Sequence, residues 1–146
     1  MTQNHSDIRT RFIFDDMPIR GMHIRLEKVW HHIVNQKHYP VAIRRALGEL
    51  LAAGALLSAN LKNEGALIVQ VQGQGRLKML VVEATSENTV RATARWDETA
   101  EIRDDESLTA LLGENSVFVL THQPKDADPW QGVVPVSYTH LRAHET

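Results

Sequence analysis

The alternation of apolar and polar residues divides this chain into strands and helices with few ambiguities. Arg11-Phe12-Ile13-Phe14 is an apolar run suited to a strand, and Asp15-Asp16-Met17-Pro18 supplies turn chemistry. Ile19 to Leu26 alternates imperfectly, so the first element is an antiparallel hairpin, with Gly21 marking a bulge or a close backbone approach. Leu26, Val29, Trp30 and Ile33 then follow the spacing of one helix face. Pro40 ends that helix near His38-Tyr39 and opens a longer one.

The second helix is the most informative segment. Ile43, Leu47, Leu50, Leu51, Leu57 and Leu61 keep a helical period, and Leu50 to Leu57 has no polar face. A helix apolar on every side is enclosed by protein or spans a membrane, and this run is far short of the ~20 residues a span needs. The pattern therefore predicts a buried central helix, closed at Asn63-Glu64-Gly65 by a glycine cap. Ala66–Gln72, Leu77–Ala84 and Val90–Trp96 read as strands on links too short for parallel crossovers. Leu108 to Leu112, with acids before it and Gly113 after it, reads as a short helix. Val117–Thr121 and Trp130–Val136 are the last strands. The order is strand pair, two helices, three strands, short helix, two strands: an α+β fold of antiparallel sheets packed around a buried helix.

Composition narrows the function. The 146 residues fit one domain or a large piece of one, and a formal charge of −2 argues against partners held mainly through phosphate, so neither nucleic acid nor an anionic membrane is expected. Cysteine is absent, which removes disulfides, thiolate nucleophiles and cysteine-built zinc sites. The polar start Met1 to Asp7 lacks the apolar core of an export signal, and a cytoplasmic location is expected.

The candidate chemistry is thin. Gly73-Gln74-Gly75 follows a strand but has Lys78 where a phosphate-binding motif needs its third glycine, and a strand follows it, so it reads as a hairpin turn. His31 and His32 are adjacent and point about 100° apart on a helix, which suits a wet face and not a metal. His140 and His144 have helical spacing but no third ligand. No GxSxG elbow surrounds any serine, and the acids at Asp97-Glu98, Glu101 and Asp104-Asp105-Glu106 read as a solvated loop with a helix cap. Trp30, Trp96 and Trp130 read as core or edge packing. No catalytic, cofactor-binding or metal residue is assigned, and the chain is not expected to be an enzyme. One alternative is a small metabolic enzyme that clamps an anionic substrate through the strand arginines Arg20, Arg91 and Arg95.

Several ordered fragments carry a family resemblance. They are Arg11–Phe14, Ile19-Arg20-Gly21, Tyr39-Pro40, Leu47–Ala53, Leu56–Lys62, Val69–Gly75, Arg91–Arg95, Leu111-Leu112-Gly113 and Trp130–Val136. In this order and spacing the chain resembles the N-terminal domain of the bacterial redox-regulated holdase chaperones, the 33 kDa heat-shock class. The resemblance implies an ATP-independent chaperone that binds unfolding client proteins under oxidative and heat stress. It also implies a C-terminal module holding zinc through four cysteines, whose oxidation releases the metal and unfolds a linker. This sequence has none of those cysteines, so no zinc ligand carries over and no cofactor is expected in it. Residues 1–136 are accordingly expected to be a partial chaperone domain. Residues 137–146, Ser137 to Thr146, do not resemble the family's continuation and are read as a non-native tail. Missing strands would leave open edges and apolar faces, so the fragment is expected to aggregate or to form a homodimer.

Overall fold

The computed structural model describes residues 7–61 and 64–136. Strands β1 (Asp7–Ile13) and β2 (Arg20–Leu26) form the hairpin. Helices α1 (Glu27–Val34) and α2 (Val41–Ser58) follow, then β3 (Gly65–Gln72), β4 (Leu77–Thr85) and β5 (Val90–Trp96). Helix α3 (Leu108–Leu112) and strands β6 (Val117–Pro124) and β7 (Trp130–Pro135) complete the chain. The α+β fold with antiparallel sheets is as the pattern predicts. The tail expectation for Ser137 to Thr146 falls outside the described residues.

The five-stranded sheet has the order β5-β4-β3-β6-β7, antiparallel throughout. The β3-β4-β5 meander matches the short links. The chain then crosses through α3 to lay β6 against β3, with Leu67 opposite His122 and Val71 opposite Phe118. Leu67, Val69, Val71, Leu80, Val82, Ala92 and Ala94 point from one face into the core, where Ile43, Leu47 and Leu51 of α2 meet them. Gly54 lets the helix approach the sheet closely, since a Cβ there would lie 2.9 Å from Val82 Cγ1.

Several local signals operate differently from the sequence expectation. α1 stops at Val34 instead of His38, and α2 stops at Ser58, where Asn60 and Leu61 turn back through N–H bonds to Leu57 and Ser58 carbonyls. Gly65 is not a helix cap. It is the first residue of β3, at φ 154°, and a Cβ would strike the Gln123 carbonyl oxygen on β6. α1 has no capping side chain of its own, and Asp7 of β1 provides one by accepting the Lys28 and Val29 N–H groups at 2.7 and 3.0 Å. The Gly73-Gln74-Gly75 segment is a hairpin turn that also closes α3. The Gln74 and Gly75 N–H groups both donate to the Leu112 carbonyl, satisfying the C-terminal end of that helix.

The central helix departs most from expectation. It is not enclosed on every side. Ile43, Leu47, Leu51, Gly54, Ala55 and Ser58 are buried, whereas Ala53 is exposed and Leu57 is 44% exposed. These two lie on the ridge that continues Arg45 and Glu49 at four-residue steps. α2 lies across β3, β4 and β5 and makes little contact with β6 and β7, and the middle of that ridge, Glu49 and Ala53, borders the space left beside the outer strands.

Candidate functional site

Two apolar surfaces remain uncovered among the described residues. The first is the outer face of the β1–β2 hairpin. The register places Phe12 opposite Gly21 and Arg11 opposite Met22. Met22, Ile24 and Leu26 therefore share the inner face and are half-buried, while Ile8, Phe12 and Phe14 share the outer one. The Phe12 ring lies over Gly21, where a Cβ would overlap it, and packs edge-on against Phe14 at 6.0 Å between centroids. Phe12, Phe14, Met17 and Ile19 are all exposed, and Ile13 at the tip is 71% exposed. An isolated two-stranded hairpin is marginally stable in water. This one is tied down from its inner side, where Arg11 Nη2 donates to the Ala59 carbonyl at 2.6 Å.

The second surface is a cleft of about 460 Å³ between the wet flank of α2 and the outer strands of the sheet. Ala46, Leu50 and Ala53 form one wall, and Phe118, Val134 and Val136 form the other. Glu49 is the one charged residue lining it. The cleft exists because β6 and β7 extend the sheet beyond the helix. Trp130, Val133 and Val134 of β7 are exposed beside it.

The loop between β5 and α3 is polar and tightly tied to the β3–β4 turn. Arg76, after the β3–β4 turn, forms a two-pronged ion pair with Glu106, Nη1 to Oε1 at 2.7 Å, and also donates to the Glu101 carbonyl. The Glu106 side chain is only 8% exposed, and the Arg76 hydrogen bonds hold its carboxyl below the usual range. Hydrogen bonds from the Thr99 hydroxyl and N–H do the same for Asp97. This acidic stretch is therefore a loop clamped to the sheet, with Ser107 capping α3 through the Ala110 N–H.

The alternative anion clamp does not assemble. Arg20 borders a hollow beside Arg11 on the hairpin, Arg91 pairs with Glu83 at 3.0 Å, and Arg95 borders a different hollow with Gln72 and Lys78. His31 and His32 are exposed on α1, and His32 bonds with Gln36. Among the described residues no three His, Asp or Glu side chains group to hold a metal. Trp30 packs over Gly48 and Trp96 against Tyr39, while Trp130 lies exposed across Gly132. No described helix is long and apolar enough to cross a membrane.

The fold and these two faces define a class: an α+β domain that presents apolar surface around a well-packed core. Comparison with known proteins gives the class its family. The Hsp33 protein family model matches residues 7–144, and the chain belongs to that family. It is 80% identical over 133 residues to the 33 kDa chaperonin of Neisseria meningitidis serogroup A, covering 91% of this chain and 44% of the relative. It is 46% identical over 136 residues to the 33 kDa chaperonin of Chromobacterium violaceum, covering 92% of this chain and 45% of that protein. The crystal structure of the Thermotoga maritima 33 kDa chaperonin shares the fold at a TM-score of 0.74 and 19% identity, over 90% of this chain and 46% of that one. The chain thus spans less than half the length of the relatives it matches. The uncovered hairpin and cleft have no signature in the sequence, because apolar contact leaves no spacing motif.

Proposed function

We propose that this chain is the client-holding part of an ATP-independent chaperone that works in the cytoplasm and keeps unfolding proteins from aggregating. The observation that carries this reading is the exposed outer face of the hairpin, Ile8, Phe12, Phe14 and Ile19, on a domain with a packed core of its own. Apolar surface of this kind gains free energy by covering the apolar segments that an unfolding protein exposes. It needs neither nucleotide nor catalytic group.

Zinc does not fit this chain, because the cysteine donors that the resemblance implies are absent from all 146 residues. Redox control, in this reading, belongs to the part of the relatives beyond the stretch matched here. A second copy is the other body able to cover the hairpin face, and sedimentation across a range of concentrations reads it out.

The deciding experiment is light scattering of a heat-unfolding client with and without the chain. Suppression at near-equimolar ratio that falls when Phe12 and Phe14 are replaced by serine supports the reading. No suppression at any ratio by a folded chain overturns it.

A further inference from the structure

The free edge of β7 has a chemistry that the fold leaves unused. The Val136 N–H donates to the Ser116 carbonyl at 3.0 Å, which sets the phase of the β6–β7 ladder. Val134, Gly132 and Trp130 therefore turn their backbone groups toward β6, and Gln131, Val133 and Pro135 turn theirs outward. Pro135 occupies an outward position, where its missing N–H costs no ladder bond. β7 is the last strand of its sheet, and among the described residues nothing pairs with the outer edge. Edges are ordinarily blunted by charged side chains or by proline. β7, Trp-Gln-Gly-Val-Val-Pro, has no charged residue, and its proline blunts only the last position.

The surroundings specify an occupant. Two donors, on Gln131 and Val133, and three acceptors lie in a line with the spacing of alternate strand residues, about 6.8 Å, which an extended backbone matches. Side chains alternating along such a backbone would reach the apolar cleft behind Val134 on every second residue. Most charges around the edge are acidic, and Lys125, the cation in the turn leading into β7, reaches Glu64 at 3.4 Å. Glu49 lines the cleft, Asp126 and Asp128 stand in the turn leading into β7, and Glu114 lies two residues before Ser116. None of the four carboxylates pairs with a cation among the described residues.

We propose that the outer edge of β7 takes up an extended polypeptide segment as a sixth strand, selecting apolar residues at alternate positions flanked by lysine or arginine. Backbone pairing gives the affinity, the cleft selects apolar side chains, and the acidic rim selects cationic flanks. The proposal deepens the client-holding reading and rests on it.

The probe is a fluorescein-labelled peptide, Lys-Lys-Val-Thr-Val-Thr-Val-Lys-Lys, titrated into the full chain by fluorescence anisotropy. Two comparison peptides are used, one N-methylated at alternate residues and one with glutamate replacing lysine. Hydrogen exchange is followed at Gln131 and Val133. The expected result is binding that weakens at least tenfold on N-methylation and on charge reversal, with exchange slowing at Gln131 and Val133. Val133→Pro should abolish binding, since it removes an outward donor and no bond to β6. If that variant does not fold, the N-methylated peptide on the unaltered chain decides alone. Equal affinity for the N-methylated peptide, or protection confined to the hairpin, overturns the proposal. A chain that suppresses client aggregation yet binds both peptides equally loses the edge and keeps the holding role. A chain that pairs with the peptide but suppresses nothing loses the holding role instead.

Discussion

Leu51 and Leu57 sit six residues apart in one alanine-leucine run, yet their surroundings give them opposite energetics. Leu51 is 1% exposed, among Ile43, Leu47 and the inner face of β3 and β4, whereas Leu57 is 44% exposed. Leu→Ala removes roughly three carbons, worth about 2.4 kcal/mol of transfer free energy when fully buried. At Leu51 the close-packed surroundings add a cavity term, so Leu51→Ala should cost about 3–4 kcal/mol. At Leu57 little more than half the side chain is covered and solvent fills the gap, so the cost falls to about 1 kcal/mol. Alanine's higher helix propensity trims it by a few tenths more. Urea unfolding followed by tryptophan fluorescence measures both, with m-values confirming two-state behaviour. A separation of at least about 2 kcal/mol is expected. Leu57→Lys should fold like the parent, and if the flank of α2 holds clients it should suppress aggregation less well. Equal losses at the two positions would show the last turn of α2 as covered as its middle, and would refute the open flank at Leu57.

Asp7→Ala removes the only side chain capping α1 among the described residues, and should cost about 1 kcal/mol with faster amide exchange at Lys28 and Val29. Glu106 has a lowered folded-state pKa, so its contribution is complete above the unfolded value of about 4.3 and fades as pH falls below it. Glu106→Gln should therefore lower stability at about pH 7 and flatten its decline between about pH 5 and 3, as thermal melts across that range would show; an unchanged slope refutes the ion pair's role. Gly75→Ala places a Cβ against the Leu111 carbonyl oxygen and should free α3 from the turn, seen as loss of exchange protection at Gln74 and Gly75. Phe12→Ser should cost about 1 kcal/mol and lower the melting temperature by about 4 °C, because the half-exposed ring still covers Gly21 and packs on Phe14.

The elements were legible where one physical rule acts alone. Strand alternation placed β3, β4 and β5, and the polar-before, glycine-after signature placed α3. The signals that failed were those where a distant segment supplies the missing partner. α1 begins at Glu27 because Asp7 caps it from another strand, and Gly65 is glycine because β6 passes against it. Neither relation is visible in a short window of sequence.

The uncovered surface escaped for a different reason. Ala53 and Leu57 have the same composition as the buried residues beside them, and only the reach of the sheet decides which face is wet. Had the sheet ended at β3, the ridge from Arg45 through Glu49 to Leu57 would border solvent alone, and its last turn would be an isolated exposed leucine of no consequence. Because β6 and β7 extend past the helix, the middle of that ridge, Glu49 and Ala53, joins Ala46 and Leu50 as one wall of an apolar cleft. The open hydrogen-bonding edge of Gln131, Val133 and Pro135 lies beside the other. The crossover that pairs β6 with β3 is therefore the step that turns an ordinary packed helix into one wall of that cleft. If that cleft holds clients, a substitution that weakens this pairing should lower suppression of client aggregation before it lowers the stability of the α2 core. Gly65→Val, whose Cβ meets the Gln123 carbonyl, is the substitution that tests it.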